Sequence, residues 1–224
     1  MRWIHDFQLF LFDFDGLLVD TERLHYQAYI NALHRRGYEL DWNFPYYCSL
    51  AHLNATAIRE AIYEKFPDLD VEWNILYEEK KKNYLSLLAS GSIRLMPGVA
   101  PLLNALAEAN IRRCVATHSL LDQTLLVRSQ LPILNTIPTW ITREDYEKPK
   151  PDPECYLRAI AMCGKTGDRI IGFEDSVRGL KALQGTPALP VLICANHHPL
   201  LEMASEGAAV HYESFEQIPE ETLI

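Results

Sequence analysis

The sequence predicts an α/β protein, a doubly wound parallel sheet carrying an inserted all-helical domain. Three observations predict it. Leu9-Phe10-Leu11-Phe12 is a continuous apolar run of strand length that breaks off at Asp13-Phe14-Asp15-Gly16, as expected of a strand buried on both faces. From residue 111 onward, short β-rich runs alternate with helical stretches, the pattern of β-α-β units. Between these regions, residues 22–89 show helical periodicity with no strand signal, which is more helix than a single crossover needs.

The elements follow in order. After Gly16, residues 17–22 lead into a helix with Tyr26, Ile30 and Leu33 on one face and Gly37 as its stop. Residues 38–52 read as irregular and aromatic. A second helix is expected from about Asn54, with Ala57, Ile58, Ala61 and Ile62 in register, and Pro67-Asp68 breaks it. A third starts near Val71 and carries Trp73, Leu76, Tyr77, Tyr84 and Leu88. These helices define an expected cap domain over residues 21–89, set into a Rossmann-like core formed by residues 1–20 and 90–224. Met96-Pro97-Gly98 marks the return, followed by a helix with Val99, Leu102, Leu103 and Leu106. Strands are expected at 111–116, 137–141, 169–173 and 190–194, with a weak edge at 208–210. A helix is expected over 152–163, with Pro153 suited to its first turn.

At 224 residues, with 48% hydrophobic and 23% charged residues, the chain can bury a substantial core. A net charge of −9, with no basic stripe, argues against nucleic acid as a partner. Five scattered cysteines without a C-x-x-C pair read as reduced thiols. The N-terminus lacks a signal-peptide core and no apolar run reaches membrane-spanning length. The expectation is a soluble, cytoplasmic protein without a membrane partner.

Residues i and i+2 of an extended chain point the same way, so Asp13 and Asp15 can face one space at a strand end. Two acids so placed repel unless a cation, a hydrogen bond or a proton intervenes. One reading is a metal-assisted site, with one carboxylate as ligand or nucleophile and the other as acid/base; the other is a pair of turn or helix-capping aspartates. Two further strands end in Thr117-His118-Ser119 and Glu174-Asp175-Ser176, and a proline-rich approach to a helix holds Lys148. In a parallel sheet these ends share one edge. Together they supply the carboxylates, hydroxyls and fixed ammonium that phosphoryl transfer requires. Plainer readings make Thr117, Ser119, Glu174 and Asp175 helix caps and Lys148 a solvated loop residue, as Lys150 is read.

In this order, with helices between the first and second, the motifs resemble the haloacid dehalogenase superfamily in its helical-cap, β-phosphoglucomutase-like branch. The resemblance covers essentially the whole chain. It implies that Asp13 is the nucleophile that becomes an aspartyl phosphate, and that Asp15 is the general acid/base. It implies Mg²⁺ as cofactor, bound by Asp13, the backbone carbonyl of Asp15 and Asp175, with Glu174 as a further ligand or just behind the ligands. Thr117 and the amide of His118 would contact the phosphoryl group, with Ser119 as a neighbour, while Lys148 balances charge. Thr21 falls in the hinge, and His25 and Lys80 fall at cap positions facing the active site, although a Lys80-Lys81-Lys82 run also reads as a solvated helix face.

The sequence departs from the mutase where that enzyme carries an arginine for a distal phosphate: His52 stands there, and the usual cap-loop glycine is absent. A histidine cannot reproduce a bidentate guanidinium grip. The expectation is therefore a monomeric Mg²⁺-dependent phosphatase of a small phosphorylated metabolite. A sugar phosphomutase and a catalytically silent binding module are the alternatives.

Overall fold

The computed structural model describes residues 1–51, 53, 56–91, 93–195 and 210–223. Strand β1 (Leu9–Phe12) is the centre of a six-stranded sheet with β2 (Arg112–Ala116), β3 (Thr139–Ile141), β4 (Ile170–Glu174), β5 (Leu189–Ile193) and β6 (Val210–Tyr212). The order is β3-β2-β1-β4-β5-β6 and every neighbouring pair is parallel.

Alternation along β1 explains its unbroken apolar sequence. Phe10 and Phe12 join one core with Trp3, Phe173 and Phe215, whereas Leu9 and Leu11 join another with Cys114, Tyr156 and Leu183. Each face is covered by helices. On the first lie α5 (Val99–Glu108), through Leu102, Leu103 and Leu106, and α6 (Leu121–Gln130), through Val127. On the second lie α7 (Glu154–Cys163) and α8 (Val177–Gln184), through Tyr156, Ala159, Ala182 and Leu183. Phe12 stacks on Phe173 of β4 with centroids 5.4 Å apart. Burying a side chain of this size contributes about 1.5–3 kcal/mol, so the aromatic face pins β1 to β4.

Between β1 and β2 the chain forms α1 (Glu22–His34), α2 (Phe44–Ala51), α3 (Ala57–Lys65) and α4 (Trp73–Ala89), then α5. The first four share a core of their own, including Tyr29, Leu33, Tyr47, Ile62 and Leu76. Arg36, just past α1, grips Glu79 of α4 through two nitrogens at 2.9 and 2.7 Å. The chain leaves and re-enters the sheet layer side by side: the N–H of Asp20 donates to Arg94 O, and that of Met96 to Leu18 O.

One expected loop is helical. Residues 44–51 lie within the stretch read as irregular, yet they form α2. Asn43 starts it, its side chain accepting the N–H of Tyr46 at 2.9 Å, and Pro45 occupies the first turn. The aromatic run Phe44-Pro45-Tyr46-Tyr47 hides the helical period because its rings pack on α1 and on one another. Gly37 ends α1's overhang at φ +84° as expected. The edge strand is Val210–Tyr212; positions 208 and 209, like Asn54 and His52, lie outside the described residues. Among the described residues no helix is long and apolar enough to cross a membrane, and the five cysteines are free.

Candidate active site

Strand order reverses at β1, with β2 on one side and β4 on the other. In open α/β sheets the crevice at the carboxyl ends beside such a point is where ligands bind. Asp13 and Asp15 follow β1, Thr117 follows β2, Glu174 ends β4 and Asp175 follows it. All but Glu174 line one cavity of about 500 Å³, which His25, Tyr77, Lys80 and Tyr84 close from the helical insert.

The carboxylates divide into two groups. Asp13, Glu174 and Asp175 offer oxygens that all lie within 4.8 Å of one another. Burial, then the neighbouring acids, hold Asp13 and Asp175 well above the usual carboxylate range, with the ammonium of Lys150 opposing. Asp15 faces elsewhere: it accepts Thr21 Oγ1–H at 2.7 Å and Ser119 Oγ–H at 2.6 Å, with Thr117 Oγ1 at 3.3 Å. Burial raises its pKa, and the Ser119 and Thr21 bonds only partly offset that. Thr117 Oγ1 also accepts the N–H of Ser119. Neither Thr117 nor Ser119 caps α6, where Gln123 and Glu144 accept the first N–H groups. Nor do Glu174 or Asp175 cap α8; Ser176 does, accepting the N–H of Gly179 at 3.1 Å.

The lysine at the site is Lys150, which corrects the expectation for Lys148. The Lys148 side chain is 72% exposed, its ammonium 4.0 Å from Asp152. Lys150 is buried, and its Nζ lies 2.5 Å from Asp13 Oδ1, 2.6 Å from Glu174 Oε1, 2.9 Å from Tyr156 Oη and 3.0 Å from Ala116 O. The cause is local. Glu154, at the start of α7, accepts the N–H groups of Glu147 and Lys148 and holds that turn against the helix. The N–H of Lys150 meanwhile donates to His118 Nε2 at 2.8 Å, which draws the next turn inward. Burial alone would lower the Lys150 pKa, but the Asp13 and Glu174 carboxylates outweigh it and raise it. A signal was present, because Lys150 is the lysine directly ahead of the Pro-Asp-Pro-Glu helix start.

Glu174 is fully buried and both its oxygens are engaged: Oε1 by Lys150 and the Tyr156 hydroxyl, Oε2 by Ser176 Oγ and the Asp175 N–H. Glu174 and Asp175 are each packed against a glycine. A Cβ at Gly179 would run into the Glu174 carboxylate, and one at Gly16, where φ is +80°, would run into Asp175 Oδ2. The His118 ring supports Lys150 rather than facing a ligand alone, and its pKa falls to about 3 through burial and the charges of Lys150, Arg178 and Arg143.

In the insert, Lys80 is buried, not solvated. Its Nζ lies 2.6 Å from His25 Nδ1 and within 5.1–5.8 Å of the ring centres of Tyr29, Tyr84 and Tyr77. His25 stacks on Tyr84 at 3.8 Å. Burial and the neighbouring Lys80 push His25 down to about 3, so the imidazole is neutral and accepts from the ammonium. Burial pushes Lys80 down to about 8, against the pull of Glu22 and Asp15. Tyr156, Arg143, Arg178 and Gly179 also shape the site and were not singled out from the sequence.

An acid-lined crevice at the switch point of a parallel sheet, roofed by an inserted helical unit, marks a ligand-handling α/β protein of the doubly wound class. The chain belongs to the haloacid dehalogenase-like hydrolase family, whose profile matches residues 10–186. It is 30% identical over 183 residues to protein CbbY of Cereibacter sphaeroides, spanning 78% of this chain and 79% of that one. It is 27% identical over 179 residues to a phosphorylated carbohydrates phosphatase of Thermotoga maritima, spanning 77% and 78%. The fold matches the crystal structure of CbbY from Rhodobacter sphaeroides in complex with phosphate, with a TM-score of 0.76 at 24% identity over 95% of this chain and 96% of that one.

Proposed function

We propose that this phosphatase-family enzyme hydrolyses a small phosphorylated metabolite with Mg²⁺, through an aspartyl phosphate on Asp13. The observation that carries the reading is the split among the acids. Asp13 sits with Asp175 and Glu174 against one ammonium, while Asp15 is held apart by three hydroxyls.

The donor set fits the ion, since the three clustered groups offer only carboxylate oxygens, the ligand type Mg²⁺ prefers. Three acids and one lysine leave net negative charge in a buried place, which a divalent cation would relieve. Asp13, Asp175 and the backbone carbonyl of Asp15 would hold it; Glu174, already engaged on both oxygens, stands behind them. When bound, the ion neutralises charge on the transferring phosphoryl group.

The chain's own groups perform the rest. Asp13 attacks phosphorus in line with the leaving oxygen while Lys150 offsets the charge that gathers there. Thr117 Oγ1 and the amide of His118 meet the phosphoryl oxygens. Asp15, its pKa raised by burial, gives its proton to the leaving alcohol and then takes one from the water that cleaves the aspartyl phosphate. Residues 21–89 act as the cap, hinged near Thr21, and bring Lys80 and His25 over the substrate to exclude bulk water.

The test is phosphate release from a panel of phosphorylated metabolites, with and without Mg²⁺, by the wild type and Asp13→Asn. Release that needs both the ion and Asp13 is expected. Release at the wild-type rate by folded Asp13→Asn would overturn the reading.

A further inference from the structure

The cavity over Asp13 has room for a whole small metabolite, and two of its lining residues have no part in the chemistry above. Arg143 comes from the short helical turn Arg143–Asp145 after β3, and Arg178 from the first turn of α8. Both belong to the sheet-bearing core rather than to the helical insert. Arg143 donates from Nη1 to Tyr146 O at 2.6 Å and from Nη2 to Glu147 O at 3.2 Å. Its guanidinium lies over the Tyr146 ring, 5.0 Å from the centroid, which sets its plane and leaves further N–H groups for a ligand. Arg178 Nε is shielded from solvent and has no hydrogen-bond partner among the described residues. No ion pair between either arginine and a carboxylate occurs among the described residues. Both line the same cavity as His118 and Lys150, and the charge of each bears on His118, whose ring holds the Lys150 backbone.

A shielded donor without a partner, as Arg178 Nε is, is costly in a folded protein. Lys150 is already committed to Asp13 and Glu174. We propose that Arg143 and Arg178 form a subsite for a second anionic group of the substrate, phosphate or carboxylate, held beside His118 while the scissile phosphoryl group sits at Asp13. This rests on the phosphatase reading and extends it to a substrate class, metabolites with an anion at each end. Planar guanidinium forks match both candidate anions. Because both arginines stand on the same framework as Asp13, the subsite measures substrate length independently of the insert.

The test compares kcat/KM for a hexose monophosphate, a hexose bisphosphate and a phosphorylated sugar acid, in the wild type, Arg178→Met, Arg178→Lys and Arg143→Met. Arg143→Met also removes two bonds that hold its own loop, so Arg178→Met is the decisive variant. The wild type is expected to prefer a doubly anionic substrate, and the better of the two identifies the anion as phosphate or carboxylate. Arg178→Met should shrink that preference at least tenfold, chiefly through KM, and Arg178→Lys should restore part of it. A wild type without the preference, or equal losses on all three substrates, overturns the proposal. Should the wild type release phosphate from none of them, the phosphatase reading fails instead. Calorimetric binding of hexose bisphosphate against monophosphate to Asp13→Asn, with and without Arg178→Met, then decides the subsite alone: a preference that disappears with Arg178 supports it, and equal binding overturns it.

Discussion

The Lys150 ammonium lies 2.5 Å from Asp13 Oδ1, at the end of a loop whose other lysine, Lys148, points into solvent. This pairing favours Lys150 over Lys148 for the proposed charge-balancing role. Lys150→Met is expected to lower turnover by at least about a thousandfold, with Lys148→Met within about twofold of wild type, in phosphate-release assays. Removing one partner of a buried ion pair costs on the order of 3–5 kcal/mol, so urea unfolding of Lys150→Met should show the loss of stability as well. Equal effects of the two substitutions would refute the assignment.

Gly179, in the first turn of α8, faces the Glu174 carboxylate with no space for a methyl group. Gly179→Ala must therefore displace Glu174, and with it the bonds to Lys150 and Tyr156. A helical alanine would ordinarily stabilise by up to about 1 kcal/mol. Here the expected outcome is the opposite sign, a loss of roughly 2–4 kcal/mol from overpacking and disrupted buried bonds, together with a large fall in kcat. Denaturant unfolding checks the first and steady-state kinetics the second.

Asp13 and Asp175 carry raised pKa values because burial, and then the charge of Glu174 beside both, oppose ionisation. Mg²⁺ should therefore raise the melting temperature: at about a hundred times Kd the linkage is ~2.7 kcal/mol, or roughly 5–10 °C for a chain of this size. Asp175→Asn removes an unfavourable buried charge and a ligand together. It is expected to melt higher than wild type in EDTA and to lose most of the Mg²⁺ shift, a crossing pattern that thermal melts with and without the ion would reveal.

Much of this site was legible because it depends on strand ends. Leu9–Phe12 is apolar throughout since helices cover both faces, and a polar residue just beyond such a strand has the sheet edge as its setting. Asp13, Asp15, Thr117 and Asp175 could thus be placed from the linear pattern alone. What escaped depends on packing between distant elements. For Lys80 the resemblance pointed to the cavity while its charge run read as a solvated face, and only the apposition of α1 and α4, which buries it under Tyr29 and Tyr84, decides between them. Lys150 replaces Lys148 because of bonds from Glu154 and His118, the second of which joins residues 32 apart. Arg178 carries no motif; its isolation from acids is visible only in three dimensions.

Lys80 offers a test through pH. Burial lowers its pKa to about 8 from an ordinary value of 10.5. Below pH 8 it is charged both folded and unfolded, and the folded state bears the full cost of the buried charge. Between about 8 and 10.5 the folded protein releases its proton before the unfolded chain does, so the unfolded state binds more protons and stability rises with pH. Lys80→Met should accordingly be more stable than wild type at pH 7, by at most about 3 kcal/mol, with the gap closing toward pH 10 in denaturant titrations. Activity should move the other way. If the ammonium faces an anionic substrate, wild-type kcat/KM falls as pH rises through about 8, while Lys80→Met starts lower and lacks that limb. A variant that is both less stable at pH 7 and retains the alkaline limb would show that Lys80 neither carries a buried charge nor meets the substrate.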